Sequence, residues 1–492
     1  MIIEHSTQIQ MPKRIINISD YDEDSRLCCG CVSDRYLSGK IRNEGEEDDC
    51  SFCDYFGHTF SLGTIAELVE RAFNEHFERT SREPSDWDYW RIRELDYDWD
   101  RDGEQVHYVI AEIAGIDEDV AEVITMILEN RHSDWDLATM GEETEFDRDS
   151  HYSPKSLGDF SEYYEEWSAF ERRLQFECRL PSRSDFQILD RIFAGIGELT
   201  TREQEPVIRA IGPSLAISAL FRARVFQSFQ KMLESLKRPD REIGSPPDGI
   251  ASAGRMNARG ISVFYGSLTP EIALAEVRPP VGSHVVVAKF DITRPLWVLD
   301  IAALRQILVR RSYFDPDCRP LQERATFLDR LSSLMTRPVM PEYEHADYLI
   351  TQVIADYLAS EHRLDGMIYP SVQISDGVNV VLFHRACLTE SLELPQGTVI
   401  SADREGWGDD GPGPNFLVVE EVPATQMQEC VKPKAPDFDL DDLMSSDFPL
   451  VNVDSRSPSL RICLDDVVVR RVTSVKYVSE VGTVKRSRRN VK

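Results

Sequence analysis

Three side chains that could act together on a nucleotide lie within one stretch, residues 254–278. Arg255 is followed by Tyr265 after ten positions and by Glu276 after a further eleven. A guanidinium can donate two parallel hydrogen bonds to phosphate oxygens, and a tyrosine at a strand end offers a flat face for stacking a ring. A carboxylate beside them can hold sugar hydroxyls and stabilise positive charge at an anomeric carbon. The set is typical of a site that cleaves the N-glycosidic bond of a dinucleotide.

The local sequence predicts how these side chains are positioned. Residues 261–266 form a short run rich in β-branched and aromatic residues, which predicts a buried strand. Thr269 and Pro270 then predict a helix start, with Thr269 as the N-cap and Pro270 at the first helical position. A strand that passes into a helix can bring a turn residue, a strand residue and a helix residue to one end of a sheet. We therefore expect Arg255, Tyr265 and Glu276 to meet there.

The order of these segments resembles the RES family, which is named for an Arg, a Glu and a Ser. Several pieces match in the right order, although none of them would be specific by itself. In chain order they are LFRAR at 220–224, GRMN at 254–257, FYG at 264–266, ALAEVR at 273–278, IYPS at 368–371 and DGVN at 376–379.

The resemblance implies a fold similar to that of ADP-ribosyltransferase toxins and the use of NAD. Such proteins deplete NAD by hydrolysis or phosphorolysis, or transfer its ADP-ribose, and many are toxins neutralised by an antitoxin of the Xre type. It leaves open whether water, phosphate or a protein accepts the ADP-ribose here. The site residues that it implies are Glu276, Tyr265 and Ser371 for catalysis, and Arg222, Arg255 and Asn379 for NAD binding.

Two departures from the small RES toxins leave a second function open. About 200 additional residues precede the RES-like part, and its C-terminal segment is interrupted. The front part could restrain the enzyme or sense a target. The alternative, from a different functional class, is a zinc-stabilised interaction protein whose RES-like part binds a nucleotide without turnover.

Four of the ten cysteines form a separate pattern near the N-terminus. Cys28 and Cys31 make one CxxC pair, Cys50 and Cys53 make another, and eighteen residues separate the two. In a cytosolic chain this spacing favours a tetrahedral Zn²⁺ site over disulfides. Four protein ligands would leave no position for water, so the predicted zinc is structural. Cys29 is adjacent and could replace Cys28 as the first ligand, but the CxxC spacing favours Cys28.

Composition limits the partners and the location of the protein. The chain has 492 residues and a net charge of −31, from 86 acidic and 55 basic residues. Because phosphate backbones bind basic surfaces, this balance argues against general nucleic-acid binding. No apolar run approaches the ~20 residues that span a bilayer, and the N-terminus does not resemble a secretory signal. We expect a cytoplasmic protein without membrane contact.

The chain as a whole predicts a multidomain protein. A flexible leader (1–24) and the zinc knuckle (25–57) are expected to precede an all-helical domain (58–200), an arrangement that resembles the HEPN/RES-associated N-terminal region. Arg71 and His76 have the spacing of a HEPN ribonuclease pair, but their acidic neighbours favour a solvated helix face. An α+β RES domain (205–492) follows, with a helical excursion at 301–362 and an acidic, Pro-rich insertion at 400–455.

Overall fold

The computed structural model describes residues 17–95, 98–134, 140, 142–156, 162–340, 342, 344–404, 407–408, 411–412, 415–423, 456–476, 479, 481–484 and 486. The contacts divide the chain into two compact units. Unit 1 comprises Met1–Glu165 and Leu308–Phe327, and unit 2 comprises Glu166–Ile307 and Leu328–Lys492. Within the described ranges, no helix combines the length and the apolar character that a membrane crossing requires. Most of the predicted leader and most of the predicted acidic insertion lie outside the described residues.

Unit 1 begins with a small antiparallel sheet and the four cysteines. Strands β1 (Arg26–Cys28), β2 (Glu46–Asp49) and β3 (Phe56–Ser61) pair in the order β1-β3-β2. Between β1 and β2 lies helix α1 (Arg35–Glu44), whose first turn is capped by the Asp34 side chain accepting from the Leu37 amide. The cap satisfies an amide that would otherwise have no partner at the helix start.

Helices supply most of the rest of unit 1. They are α2 (Leu62–His76), α3 (Asp86–Leu95), α4 (Val106–Ala114) and α5 (Glu118–Arg131). α2 and α5 pack through apolar faces around Phe73 and Leu128, which are almost fully buried. Because a fully buried side chain of this kind contributes about 1.5–3 kcal/mol, the shared core rather than helix propensity holds these helices together.

The prediction that residues 58–200 are all-helical is wrong in one respect. Three short strands, β4 (Phe77–Arg79), β5 (Glu104–Gln105) and β6 (His151–Pro154), form a sheet in the order β4-β6-β5. Strands of two to four residues carry no alternation that a periodicity argument could detect. The sheet exists because β6 pairs with strands about 46 to 77 residues earlier in the sequence.

Unit 2 is built on an eight-stranded sheet. The strands are β7 (Ile208–Ile211), β8 (Ala219–Phe226), β9 (Phe264–Ser267), β10 (His284–Ile292), β11 (Leu296–Asp300), β12 (Gly366–Pro370), β13 (Val378–Leu382) and β18 (Leu460–Arg471). Their order in the sheet is β18-β10-β8-β9-β13-β12-β11-β7. Apolar residues of β10, β8 and β13 pack on one face, with Phe264 and Phe290 at an edge-to-face centroid distance of 5.0 Å.

The helical excursion has a topological cause. β11 and β12 are neighbouring parallel strands, whereas the other ladders of this sheet are antiparallel. Parallel neighbours need a long crossover connection. Helices α11 (Cys318–Thr336) and α12 (Glu344–Ser360) provide it, which agrees with the helical content predicted for 301–362. Part of the excursion, Leu308–Phe327, belongs to unit 1.

Further helices and short strands complete unit 2. Helix α6 (Glu162–Arg172) begins in unit 1, and α7 (Arg183–Phe193) opens with a capping box between Ser182 and Asp185. The predicted helical domain includes residues 166–200, but these residues cluster with unit 2. The others are α8 (Phe229–Lys237), α9 (Pro239–Glu242), α10 (Pro270–Glu276) and the short strands β14 (Val399–Arg404), β15 (Trp407–Gly408), β16 (Gly411–Pro412) and β17 (Phe416–Glu421).

Candidate functional site

Strand register brings predicted site residues together in the middle of the unit 2 sheet. On β13, Asn379 pairs with Ser267 of β9 on one side and with Tyr369 of β12 on the other. Directly paired residues point to the same face of a sheet. The helix start predicted at Thr269 and Pro270 is confirmed: the Thr269 side chain accepts from the Ile272 amide, and Pro270 opens α10. α10 therefore begins just after β9 and ends at Glu276.

Glu276 is held at one of its two carboxylate oxygens. Its Oε1 accepts from Ser371 Oγ at 2.6 Å and from Asn379 Nδ2 at 2.7 Å. No described residue donates to Oε2. The 95-residue separation between Glu276 and Ser371 is therefore closed in space, and the carboxylate has one fixed oxygen and one that is open to a ligand.

Both donors to Glu276 are themselves oriented. Ser267 Oγ donates to Asn379 Oδ1 at 2.6 Å, which points the amide nitrogen at the carboxylate. Ser371 Oγ accepts from the backbone amides of Gln373 and Ile374 at 3.1 and 3.2 Å. Ser267 and Asn379 are 3% and 2% exposed, so water does not compete for these bonds.

A cavity of about 290 Å³ opens beside this network. It forms where β8 and β9 separate, because these strands pair only at Phe221 and Ser267. Helix α10 supplies another wall through Ala273, Glu276 and Val277. The remaining lining residues are Phe221, Arg222, Ala223, Tyr265, Gly266, Ser267, Tyr369 and Asn379.

Arg222 brings an unneutralised cation to the cavity. Its Nη1 is shielded from solvent and donates to no described residue. The guanidinium lies 4.9 Å from the ring centroid of Phe264. Burial lowers the pKa of Arg222 to about 10, so the side chain is still charged at neutral pH, against the preference of its surroundings. A buried donor without an acceptor is the kind of group that an anionic ligand satisfies.

Tyr265 contributes its ring to the cavity while its hydroxyl is engaged elsewhere. The hydroxyl donates to Asn257 Oδ1 and accepts from the Met256 amide, both at 2.9 Å. Burial raises the pKa of Tyr265, as it does that of Tyr369, so both phenols stay neutral. The turn approaches so closely that a Cβ on Gly254 would lie 2.7 Å from the Tyr265 hydroxyl. Glycine is therefore required in the GRMN segment.

Arg255 is placed differently from the other predicted site residues. Its Nη1 donates to the carbonyls of Met335 and Arg337, at 2.7 and 2.9 Å, at the end of α11. The guanidinium lies 5.5 Å from the Tyr348 ring centroid. Arg255 lines a second cavity of about 420 Å³ rather than the cavity beside Glu276. The structure thus brings five of the six predicted site residues together, with Ser371 reaching the cavity through Glu276, and leaves Arg255 outside.

The four predicted metal ligands also meet. The Sγ atoms of Cys28, Cys31, Cys50 and Cys53 all lie within 4.8 Å of one another. Sγ separations of 3.6 Å (Cys28 to Cys31), 3.6 Å (Cys28 to Cys53) and 4.0 Å (Cys31 to Cys50) are near the ~3.8 Å edge of a tetrahedron with Zn–S bonds of about 2.3 Å. Cys29 is not in the group, which supports the choice of Cys28.

The HEPN-like pair does not form a site. Arg71 is exposed on α2, whereas His76 is 3% exposed and packs edge-on against Tyr313 at a centroid distance of 5.1 Å. Burial lowers the pKa of His76, which keeps the imidazole neutral. The expectation of a solvated face holds for Arg71 and is wrong for His76, because the latter lies on the apolar side of the same helix.

Sequence reasoning missed Ser267 and Tyr369 as cavity residues. Ser267 follows Tyr265 by two positions, so the two-residue period of a strand places both on one face. That signal was present in the sequence. Tyr369 was inside a recognised segment, but only the pairing of β12 with β13 shows that it lies beside Asn379.

Comparison with known proteins bears on this same region. Residues 228–400 match the family model of the RES domain. They include Tyr265, Glu276, Ser371 and Asn379. One solved structure that matches is the M. tuberculosis MbcT–MbcA toxin–antitoxin complex, at 16% identity over 40% of this chain and 81% of the matched chain. Its TM-score of 0.22 does not establish a shared fold. No curated protein matches the chain.

Arg222→Met is expected to stabilise unit 2 against heat. The substitution keeps the bulk of the side chain and removes a charge whose Nη1 is shielded from solvent and has no acceptor among the described residues. The unfolding temperature should rise by a few degrees, since about 1 kcal/mol shifts the midpoint of a domain of this size by roughly 2–4 °C. Differential scanning calorimetry measures it. Arg224→Met, on the same strand but exposed, is the control and should not raise it; a lower midpoint for Arg222→Met would contradict the interpretation.

Proposed function

We propose that the protein is an NAD-consuming enzyme that breaks the bond between nicotinamide and ribose. The observation that carries this proposal is the convergence of Ser371 and Asn379 on Glu276 Oε1, at 2.6 and 2.7 Å, which leaves Oε2 open beside a cavity. The match of residues 228–400 to the RES domain supports NAD as the substrate. The expected likeness to the ADP-ribosyltransferase fold remains a prediction.

The chemistry assigned to Glu276 is electrostatic. When the C1′–N1 bond breaks, its electron pair goes to the ring nitrogen, and nicotinamide leaves as a neutral molecule. Positive charge then develops on the ribose, and we assign its stabilisation to the Oε2 atom. An acceptor, which is water, phosphate or a protein side chain, attacks C1′ and loses a proton. Two fixed donors on Oε1 orient the carboxylate before the reaction, so no reorganisation is required during it.

The size of the cavity indicates which part of NAD it holds. A volume of about 290 Å³ is just below the usual range for small-molecule pockets, so the cavity is too small for a whole dinucleotide. We assign it to the nicotinamide and its ribose, with the rings of Tyr265 and Tyr369 as stacking surfaces. Arg222 is assigned to the phosphate that follows the ribose. Arg255 stays in the proposal only through its Nε and Nη2, which donate to no described residue.

The cysteine cluster is proposed to hold a structural Zn²⁺. Four thiolates at these separations can fill all four positions of a tetrahedral zinc ion. A zinc ion with four protein ligands is typical of structural sites, because a catalytic zinc keeps one position for water or substrate. The ion would tie the turn at residues 28–31 to that at residues 50–53 and so fix the start of α1. The description of unit 1 as an HEPN/RES-associated region is retained as part of this proposal.

The biological role that fits an NAD-consuming enzyme is that of a toxin or defence effector. Its activity must be restrained in the cell that makes it, because NAD depletion is harmful to that cell. We propose a protein antitoxin, of the Xre type implied by the RES resemblance, or unit 1 itself, as the restraint.

Glu276→Gln is expected to separate binding from turnover. The amide oxygen can still accept from Ser371 and Asn379, while the charge is lost. Nicotinamide release at saturating NAD should fall on the order of 10²–10³-fold for one preorganised electrostatic group, with NAD affinity nearly unchanged. Release is followed by chromatography, and affinity by a titration on the same preparation.

The matched control is Glu271→Gln on the same helix. Glu271 is exposed and pairs with Arg470, outside the cavity. It should keep the wild-type rate. Normal turnover by Glu276→Gln would refute the mechanism. A wild-type protein that binds NAD and releases no nicotinamide would instead support the alternative of binding without catalysis.

Ser267→Ala should lower kcat while leaving KM nearly unchanged. Ser267 acts through Asn379, whose amide loses its fixed orientation when the donor to Oδ1 is removed. A hydrogen bond contributes about 1 kcal/mol, which corresponds to roughly a five- to tenfold loss. In the Glu276→Gln background the same substitution should add little, because the positioned charge is already absent. Additive losses would show that Ser267 acts independently of Glu276.

Cys50→Ser is expected to abolish zinc binding and expose the N-terminal region to proteases before residue 60. Structural zinc contributes roughly 10 kcal/mol or more of apparent binding free energy, so one missing ligand should unfold the knuckle. Metal content by mass spectrometry and limited proteolysis check it. Cys29→Ser is a close control, because Cys29 is adjacent and outside the cluster. Full zinc content in Cys50→Ser, or its loss in Cys29→Ser, would make the assignment wrong.

A further inference from the structure

Unit 1 contains a groove that the proposed reaction does not use. Its volume is about 730 Å³, more than twice that of the cavity beside Glu276, and within the range of pockets that hold small molecules. The lining comes from the start of α1, from residues 103–113, from β4 and β6, and from residues 310–315. All of these belong to unit 1.

The floor of this groove is apolar. Phe77, Val109 and Tyr152 line it, and each is 6% exposed. Tyr36 and Tyr313 add two further rings, of which Tyr36 is 38% exposed. Aromatic rings beside an apolar floor present flat faces on which a planar ring can stack.

Some charged residues of the lining are committed to the protein's own structure. Asp34 Oδ1 accepts from the Leu37 amide and from Ser312 Oγ, both at 2.8 Å. Arg311 donates to Asp315 Oδ2 at 2.7 Å. These contacts hold residues 311–315 against the start of α1 and give the groove a defined wall.

Four other charged side chains of the lining are uncommitted. Arg35 and Arg310 are exposed and form no hydrogen bond or ion pair with any described residue, although the chain is strongly acidic overall. Glu104 and Glu112 are likewise exposed and unpaired within the described ranges. Guanidiniums suit the bidentate recognition of phosphate, and a carboxylate can accept from the hydroxyls of a ribose.

We infer that this groove is a binding site for a nucleoside phosphate, with the base against the tyrosine rings and the phosphate at Arg35 and Arg310. A ligand of this class combines the three groups that the lining addresses: a planar ring, hydroxyl donors for Glu104 and Glu112, and a dianion for the two arginines. The site is separate from Glu276 and does not depend on the proposed NAD reaction. It gives unit 1 a ligand of its own.

The test is isothermal titration calorimetry on the full chain at constant ionic strength. The probes are adenosine 5′-monophosphate, adenosine and orthophosphate, none of which contains a nicotinamide to be released. The monophosphate should bind more tightly than adenosine or orthophosphate alone. Arg310→Ala should weaken its binding about ten- to a hundredfold, as expected for the loss of one charge-assisted contact, and leave adenosine nearly unaffected.

Two control variants locate the binding. Arg82→Ala removes an exposed arginine of unit 1 that lies outside the groove and pairs with no described residue, and it should leave the affinity unchanged. Arg222→Met reports on any binding of the monophosphate at the other cavity, whose phosphate contact the proposed reaction assigns to Arg222. The inference is overturned if the monophosphate binds no better than adenosine, or if its affinity survives in Arg35→Ala and Arg310→Ala but falls in Arg222→Met. A groove that serves a peptide would show no binding of the monophosphate, which also overturns it.

Discussion

The candidate site of unit 2 depends on one constraint, the double hydrogen bond to Glu276 Oε1. Ser371 and Asn379 lie on or just beyond different strands, and their donors reach the same oxygen at 2.6 and 2.7 Å. Such an arrangement requires β9, β12 and β13 to be in register and α10 to end beside them. The sheet therefore holds the Glu276 carboxylate in one orientation. Ser267 supports this orientation through its hydrogen bond to Asn379.

The cavity beside Glu276 lowers the stability of the folded protein. Arg222 keeps a solvent-shielded nitrogen that has no acceptor in the described part of the chain, where β8 and β9 separate. An apolar side chain at this position would avoid the free-energy cost of shielding an unpaired donor from water. Strands that stayed paired would satisfy more backbone groups but would close the cavity. Separated strands and a cation with no partner among the described residues are the features by which this part of the sheet differs from an ordinary core.

The two units are stabilised in different ways. The unit 2 sheet has long ladders and large apolar faces. Unit 1 has short strands and helices around Phe73, with four cysteines placed for a metal at its start. The segment 308–315 lies in the chain between β11 and β12, but its contacts place it in unit 1. It also forms part of the groove with the uncommitted arginines.

The sequence alone determined the features that depend on residue types and spacings along the chain. Thr269 and Pro270 start a helix because one caps it and the other fits its first position. Two CxxC pairs predict a four-thiol cluster. The chain order of the RES-like segments predicts Glu276, Ser371 and Asn379 as site residues. Tertiary structure decided what depends on distant pairing. The sheet β4-β6-β5 forms through strands too short to show a period, and His76 is buried by Tyr313, which lies far along the chain. Arg255 contacts the end of α11 because the crossover brings the Met335 carbonyl to it. No local pattern encodes such contacts, since each depends on which segments the sheet order makes neighbours.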